Sequence, residues 1–289
     1  MSRLTFSFLV AVPLADIRAL ASHKSELVTQ AVLGLELERL RTSRDRKWHL
    51  VRLPDGYVGW VRDWSVLPVS RSRLSDWTAG LTYQVTSRSA ILREGPSIAS
   101  GATCELVLGT RLPKLSSQKG WVRTSLPDSR RGWLRRNELG YLARVSATPL
   151  AIVRTALLFI GAPYLWGGTT PWGCDCSGLV QTVYAFHGIP LPRDTVDQFR
   201  SVRHALIDPR VRRYRRGDLL FFGRNLRGVS HVAVSTGGTS FIHAHGYVRR
   251  GDLRRGQSGY LPEVSRHFKV AARPLGKDKK IVDKKSGLQ

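Results

Sequence analysis

Cys176 stands where a stretch holding Gly167, Gly168 and Gly173 gives way to Leu179, Val180, Val183, Tyr184 and Phe186, apolar residues at helical spacing. A cysteine that opens a helix faces free backbone N–H groups and the positive end of the helix dipole. That setting predicts a thiol pKa lowered from its usual ~8.5, a nucleophilic thiolate, and N–H groups able to hold an oxyanion. Buried filler is the plain alternative for a lone cysteine. Two histidines give the nucleophile a partner. His231 opens the apolar stretch His231-Val232-Ala233-Val234, and His243 lies within Phe241-Ile242-His243-Ala244. Strand positions hold a ring rigidly, as a general base and its orienter require, though each histidine alone would also suit a satisfied core. The order Cys176, His231, His243 matches nucleophile, base and orienting group, the chemistry of acyl transfer through a thioester. By alternation His245 shares a strand face with His243, so the orienter is not unique. Cys174 and Cys176, with His231 or His243, would alternatively suit a soft metal. A coordinated Cys176 would lose its nucleophilic role, and neither metal nor cofactor is expected.

These residues need a helix and a sheet to hold them. Thr148-Pro149 is a helix start, a side-chain cap followed by proline in the first turn, and 151–160 supplies the apolar face. A second helix is expected over 177–187, closed by Gly188. Strand-like runs follow at 218–222, 231–235 and 240–244. Helices first and sheet afterwards make this region α+β. Ahead of it lies an internal repeat: Trp48, Leu53-Pro54-Asp55 and Gly59-Trp60 recur as Trp121, Leu126-Pro127-Asp128 and Gly132-Trp133, an offset of 73. Each copy reads as a hairpin across a Pro-Asp turn, preceded by a strand-like stretch at 35–40 or 110–115. Two small all-β barrels are expected, with core filling as the simplest role for the tryptophans.

Composition narrows the possibilities. The chain has 289 residues, 46 Lys and Arg against 21 Asp and Glu, a net charge of +25, and 42% hydrophobic residues. It is too apolar and aromatic to be disordered, and no apolar run is long enough for a spanning helix. Three cysteines cannot staple a chain of this size, so a disulfide scaffold is excluded. The charge makes anionic partners attractive, but no nucleic-acid-binding motif accompanies the basic clusters at 210–216, 249–255 and 277–285, and no nucleic acid is expected. Residues 4–15 are apolar with Ala19-Leu20-Ala21 beyond, so a signal peptide and a structural strand compete there; Pro13, Asp16 and Arg18 favour the strand.

At six places in order the chain resembles the NlpC/P60 cysteine peptidases: Tyr164-Leu165-Trp166-Gly167-Gly168, Asp175-Cys176-Ser177-Gly178-Leu179, Leu191-Pro192-Arg193-Asp194-Thr195, Gly217-Asp218-Leu219-Leu220-Phe221-Phe222, Ser230-His231-Val232 and Phe241-Ile242-His243-Ala244. The match covers about 148–272, and the repeats resemble bacterial SH3-like domains over about 25–70 and 80–143. This implies a papain-like α+β catalytic domain at 146–276 behind two SH3-like domains at 1–72 and 73–145, with a basic tail at 277–289 too poor in apolar residues to fold alone. The tandem arrangement resembles the γ-D-glutamyl-L-diamino acid endopeptidase branch, which hydrolyses the γ-D-glutamyl–diamino acid bond of peptidoglycan stem peptides bearing a free N-terminal L-alanine.

The resemblance implies Cys176 as nucleophile, His231 as base and His243 as orienter. It further implies Tyr164 at substrate or oxyanion, Trp166 lining the pocket, Asp175 at the alanine ammonium, and Ser177 and Thr195 at the D-glutamyl carboxylate. Glu26 and Tyr57 of the first SH3-like domain would reach the alanine end. For Asp175 a helix cap is an equal alternative, and Tyr57 would otherwise be an exposed turn aromatic. Cys104 is expected as filler in the second barrel. A cytoplasmic peptidase acting on small muropeptides is the expectation. An exported wall hydrolase and a non-catalytic binder of murein or nucleic acid are the competing readings.

Overall fold

The computed structural model describes residues 7–208, 210–211 and 213–275; the expected tail at 277–289 lies outside them. The first β domain is one antiparallel sheet in the order β3-β2-β6-β5-β4-β1-β7. Its strands are β1 (Ser7–Val10), β2 (Leu14–Arg18), β3 (Leu27–Val32), β4 (Glu36–Thr42), β5 (Trp48–Arg52), β6 (Val58–Arg62) and β7 (Val66–Val69). Within the described part of the apolar stretch near the N-terminus, 7–10 and 14–15 are strand: Phe8 and Val10 from β1 and Ile17 from β2 share a core with Leu37, Val51 and Val61.

Helix α1 (Arg71–Gly80), capped by Ser70, spans the boundary expected at 72/73. It carries no apolar stripe, and Trp77 anchors it by donating from Nε1 to Gly34 O at 3.1 Å. The second β domain splits into two sheets. Strands β8 (Leu81–Val85), β11 (Arg111–Pro113) and β15 (Leu139–Tyr141) form one; β9 (Ser89–Arg93), β10 (Ala102–Val107), β12 (Ser116–Gln118), β13 (Trp121–Ser125) and β14 (Arg131–Arg135) form the other.

The repeat has a steric meaning. A Cβ at Gly59 would lie 2.5 Å from Ile17 Cγ2, and one at Gly132 would lie 2.6 Å from Leu92 Cγ, so each hairpin needs glycine where it meets the neighbouring strand. The repeat tryptophans divide: Trp48 and Trp60 are buried, as core filling expects, whereas Trp121 and Trp133 are half-buried. Arg62, Arg41 and Arg123 spread over the rings of Trp48, Trp60 and Trp133. Part of the arginine excess thus covers aromatic surface. Cys104 is half-buried and packs against the second core.

The C-terminal domain begins with α2 (Pro149–Leu157), whose Thr148 cap accepts from Ala151 N as expected. The short hairpin β16 (Thr169–Thr170) and β17 (Gly173–Cys174) leads into α3 (Cys176–Phe186), and α4 (Thr195–Ser201) follows. Strands β18 (Leu219–Gly223), β19 (Val229–Gly237), β20 (Ser240–His245), β21 (Tyr247–Asp252) and β22 (Phe268–Ala272) form an antiparallel sheet ordered β21-β20-β19-β18-β22, with α5 (Pro262–Ser265) before the last strand. Val232, Val234, Ile242 and Ala244 face α2 and α3, while Ala233 and Phe241 alternate to the opposite face with Leu220 and Phe222. His231 lies inside β19 rather than at its start. Among the described residues, no helix is long and apolar enough to cross a membrane.

Candidate active site

The position of Cys176 is set by a saturated carboxylate. Asp175 is the N-cap of α3: Oδ1 accepts from Gly178 N at 2.7 Å, Ser177 Oγ at 3.1 Å and Arg193 Nη1 at 3.0 Å. Its Oδ2 accepts from Gly167 N at 2.8 Å and from Arg193 Nη2. Those donors fill the lone pairs of one carboxylate. The cap alternative is the one realised, and the expected meeting of Asp175 with an ammonium is corrected, because Arg193 already neutralises it. The loop ahead of α3 is pressed close: a Cβ on Gly178 would sit 2.1 Å from Gly168 O. Gly167 has φ +79°, and a Cβ there would lie 2.2 Å from Leu27 O of the first β domain.

Cys176 is the first residue of α3 and is buried. Its Sγ lies 3.7 Å from Thr195 Oγ1 at the start of α4. Burial pushes the Cys176 thiol up, the charge of Asp175 adds to this, and Thr195 with the N–H groups of Val232 and Ser177 opposes it. The expected lowered pKa is corrected to a raised one, and near pH 7 Cys176 is a thiol.

The histidines are placed by the sheet. Val232, which follows His231 in β19, directs its N–H at Cys176 Sγ. His231 Nε2 and His243 Nδ1 of the adjacent strand are 3.0 Å apart, which leaves His231 Nδ1 outside that contact. Burial pushes His231 down to about 4, aided by His245, and His243 is depressed further by burial and by its histidine neighbours and Arg249. Both rings are neutral near pH 7. For Nδ1 of His231 to accept, its Nε2 must carry hydrogen and donate to His243 Nδ1; the proton of His243 is then on Nε2, which is buried without a partner. His245 is exposed, its ring parallel to that of His243 with centroids 5.9 Å apart. It does not bond His231, so the orienting contact belongs to His243. Among the described residues no three His, Cys, Asp or Glu side chains gather as metal ligands.

The first β domain forms the opposite wall. Trp166, 62% exposed, donates from Nε1 to Glu26 Oε1 at 2.6 Å. Tyr57 donates from its hydroxyl to Asp194 Oδ2 at 3.3 Å, and burial beside Asp194 pushes its phenol up to about 12. Gln181 donates to Asp55 at 2.8 Å, Thr169 N to Gln30 Oε1 at 3.2 Å, and Arg193 Nε to Thr29 Oγ1 at 3.2 Å, stitching this wall to α3 and its loops. Glu26, Tyr57 and Trp166 thus come together with Asp194, the residue before Thr195. Tyr164 is 37% exposed, and burial together with Cys176 and Asp175 raises its phenol to about 12. Ser177 is buried, its hydroxyl accepting from Arg193 Nη1 at 2.9 Å. Arg193 and Asp194 were legible only as parts of a motif; their roles depend on partners that neither their types nor their spacing reveal.

Comparison with known proteins agrees with this geometry. The NlpC/P60 family model matches residues 161–262, the bacterial dipeptidyl-peptidase SH3 domain matches 17–65, and the bacterial SH3 domain matches 88–140. The γ-D-glutamyl-L-lysine dipeptidyl-peptidase of Bacillus cereus is 33% identical over 235 residues, covering 77% of this chain and 68% of that protein. Dipeptidyl-peptidase 6 of Lysinibacillus sphaericus is 29% identical over 247 residues, with 82% and 86% covered. A solved NlpC/P60 family protein from Bacillus cereus superimposes with a TM-score of 0.80 at 25% identity, over 93% of this chain and 99% of that one. With a buried cysteine at a helix N-terminus, two facing histidines and two SH3-like domains ahead of them, this chain belongs to the NlpC/P60 family of cysteine peptidases.

Proposed function

We propose that this peptidase hydrolyses the bond between γ-D-glutamate and a diamino acid in peptidoglycan stem peptides that carry a free N-terminal L-alanine. The Cys176 thiol attacks the γ-carbonyl carbon and passes its proton to His231 Nδ1, while N-terminal amides of α3 face the oxyanion. Collapse of the adduct breaks the C–N bond, and His231 returns the proton to the leaving amine. Water, deprotonated by His231, then releases the thioester as acid and thiol. Thr195 suits the glutamyl α-carboxylate, and Tyr164 stands at the oxyanion side; the Ser177 hydroxyl, already donated to Asp175, positions the start of α3 instead.

The observation that carries the free-amine requirement is the wall holding Glu26 and Asp194. Neither carboxylate is paired with a cation among the described residues, whereas Asp175 is. An alanine ammonium reaching Glu26, Asp194 and the Tyr57 hydroxyl would replace water with charge-assisted hydrogen bonds, and a longer glycan-linked chain would meet the β-domain wall. A cytoplasmic place in murein recycling fits such small substrates.

The test is mass spectrometry of L-Ala-γ-D-Glu-meso-diaminopimelate and its N-acetylated form, incubated with the full chain and with Cys176→Ala. Cleavage of the free-amine peptide alone, lost in the variant, is expected. Equal cleavage of both would overturn the amine requirement in favour of wall hydrolysis. Cleavage of neither would overturn the substrate.

A further inference from the structure

Beside His231 and His243 the sheet carries a cation that the reaction above does not use. Arg249 on β21 pairs in register with His243 on β20, and Tyr247 pairs with His245. Alternation and cross-strand pairing therefore place His243, His245, Tyr247 and Arg249 on one sheet face, which His231 joins through its contact with His243. Arg249 Nη2 lies 3.2 Å from His245 Nδ1, and its guanidinium carbon is 5.4 Å from the Tyr247 ring centroid. His245 in turn has its ring centroid 6.4 Å from that of His231. The turn carrying these groups abuts the nucleophile's loop, because Tyr164 N donates to Gly246 O at 3.1 Å. The guanidinium is held in place and yet uncompensated: among the described residues no carboxylate pairs with it, and its Nε is buried without a partner.

A leaving amine that takes its proton from His231 would depart beside His245 and, through it, Arg249. A planar fork of N–H donors there suits a carboxylate. Lysine offers only an ammonium at its far end; a diaminodicarboxylic acid offers a carboxylate, roughly 5 Å from α-carbon to α-carbon along its chain. We propose that Arg249 is a specificity residue for the leaving group, binding the side-chain carboxylate of a diaminopimelate-type residue and favouring it over lysine. This rests on the peptidase reading above.

The experiment is steady-state cleavage by the full chain of three tripeptides, L-Ala-γ-D-Glu followed by L-lysine, meso-diaminopimelate, or meso-diaminopimelate amidated at its side-chain carboxylate. The native chain should show kcat/KM about tenfold or more higher for diaminopimelate than for lysine, with the amidated peptide falling to the lysine level. Arg249→Gln should bring the three values together, chiefly by loss on diaminopimelate, and Arg249→Lys should fall between. The amidated substrate tests the native chain and needs no variant to fold. Equal values for diaminopimelate and lysine in the native chain would overturn the inference and leave the peptidase reading standing. A proportional fall on all three peptides in Arg249→Gln would also overturn it, as a structural effect. No cleavage of any peptide by the native chain, whose Cys176→Ala variant is the blank, would remove the peptidase reading and this inference with it.

Discussion

Arg193 closes on Asp175 with both side chains out of water, 2% and 8% exposed, directly behind the nucleophile. The pair joins the loop before α4 to the cap of α3, and through Arg193 Nε it also reaches Thr29 in the first β domain. One carboxylate thereby fixes the helix N-terminus, the glycine loop and the domain wall at once.

Breaking that pair from one side leaves a buried charge alone. Arg193→Met and Asp175→Asn should each lower stability by about 3–5 kcal/mol, the usual consequence of orphaning one member of a buried ion pair. The double variant should lose much less than the two changes added together. Urea unfolding of the four proteins measures this, and additive losses would contradict it.

The histidine pair makes the fold acid-sensitive in a defined window. His231 is held neutral down to about 4, while an unfolded chain protonates it near 6.5. Below about pH 6.5 the unfolded state therefore binds a proton that the folded state refuses, and stability falls as pH drops toward 4. The effect of His231 alone amounts to about 3 kcal/mol when complete. His231→Gln should flatten the stability curve between pH 6.5 and 4; a curve parallel to the native one would refute the assignment.

At the far end of the cleft, Asp194→Asn and Glu26→Gln remove charges that form no ion pair among the described residues. Each should raise KM for a free-amine peptide by about 10- to 100-fold, the range of a lost charge-assisted hydrogen bond, with a smaller effect on kcat. The N-acetylated peptide should remain a poor substrate for both. A fall in kcat with KM unchanged would place these residues elsewhere in the reaction.

Gly167 is where the catalytic loop meets the first β domain. With φ +79° and Leu27 O 2.2 Å from where a Cβ would stand, Gly167→Ala cannot be absorbed without separating the two. It should raise the rate of limited proteolysis at the domain junction and abolish discrimination between free and acetylated peptides. Unchanged selectivity would show that the wall is not held by this contact.

How far the sequence foretells all this follows the range of the interactions involved. Cys176 at a loop-to-helix junction, the Thr148 cap and the glycine-marked hairpins are local features, and types and spacing reveal them. Helix α1 escaped notice because its stability comes from a cap and one tryptophan reaching Gly34, not from an apolar stripe. The thiol's raised pKa and the true partner of Asp175 escaped for a related reason. Both are set by groups brought in from other elements, Thr195, Val232 and Arg193, whose proximity exists only after folding. The role of Asp194 likewise depends on Tyr57, 137 residues away.

The hydrophobic cores do not respect the domain boundaries. Leu33 of the first β domain is buried in the core of the second, and Val107 and Leu108 of the second are buried in the core of the peptidase. Each domain thus plugs the next, and a fragment beginning after the β domains would open an apolar hole beside α2 and α3. The three parts are therefore joined through their cores as well as through hydrogen bonds, so that loosening one exposes apolar side chains of the next.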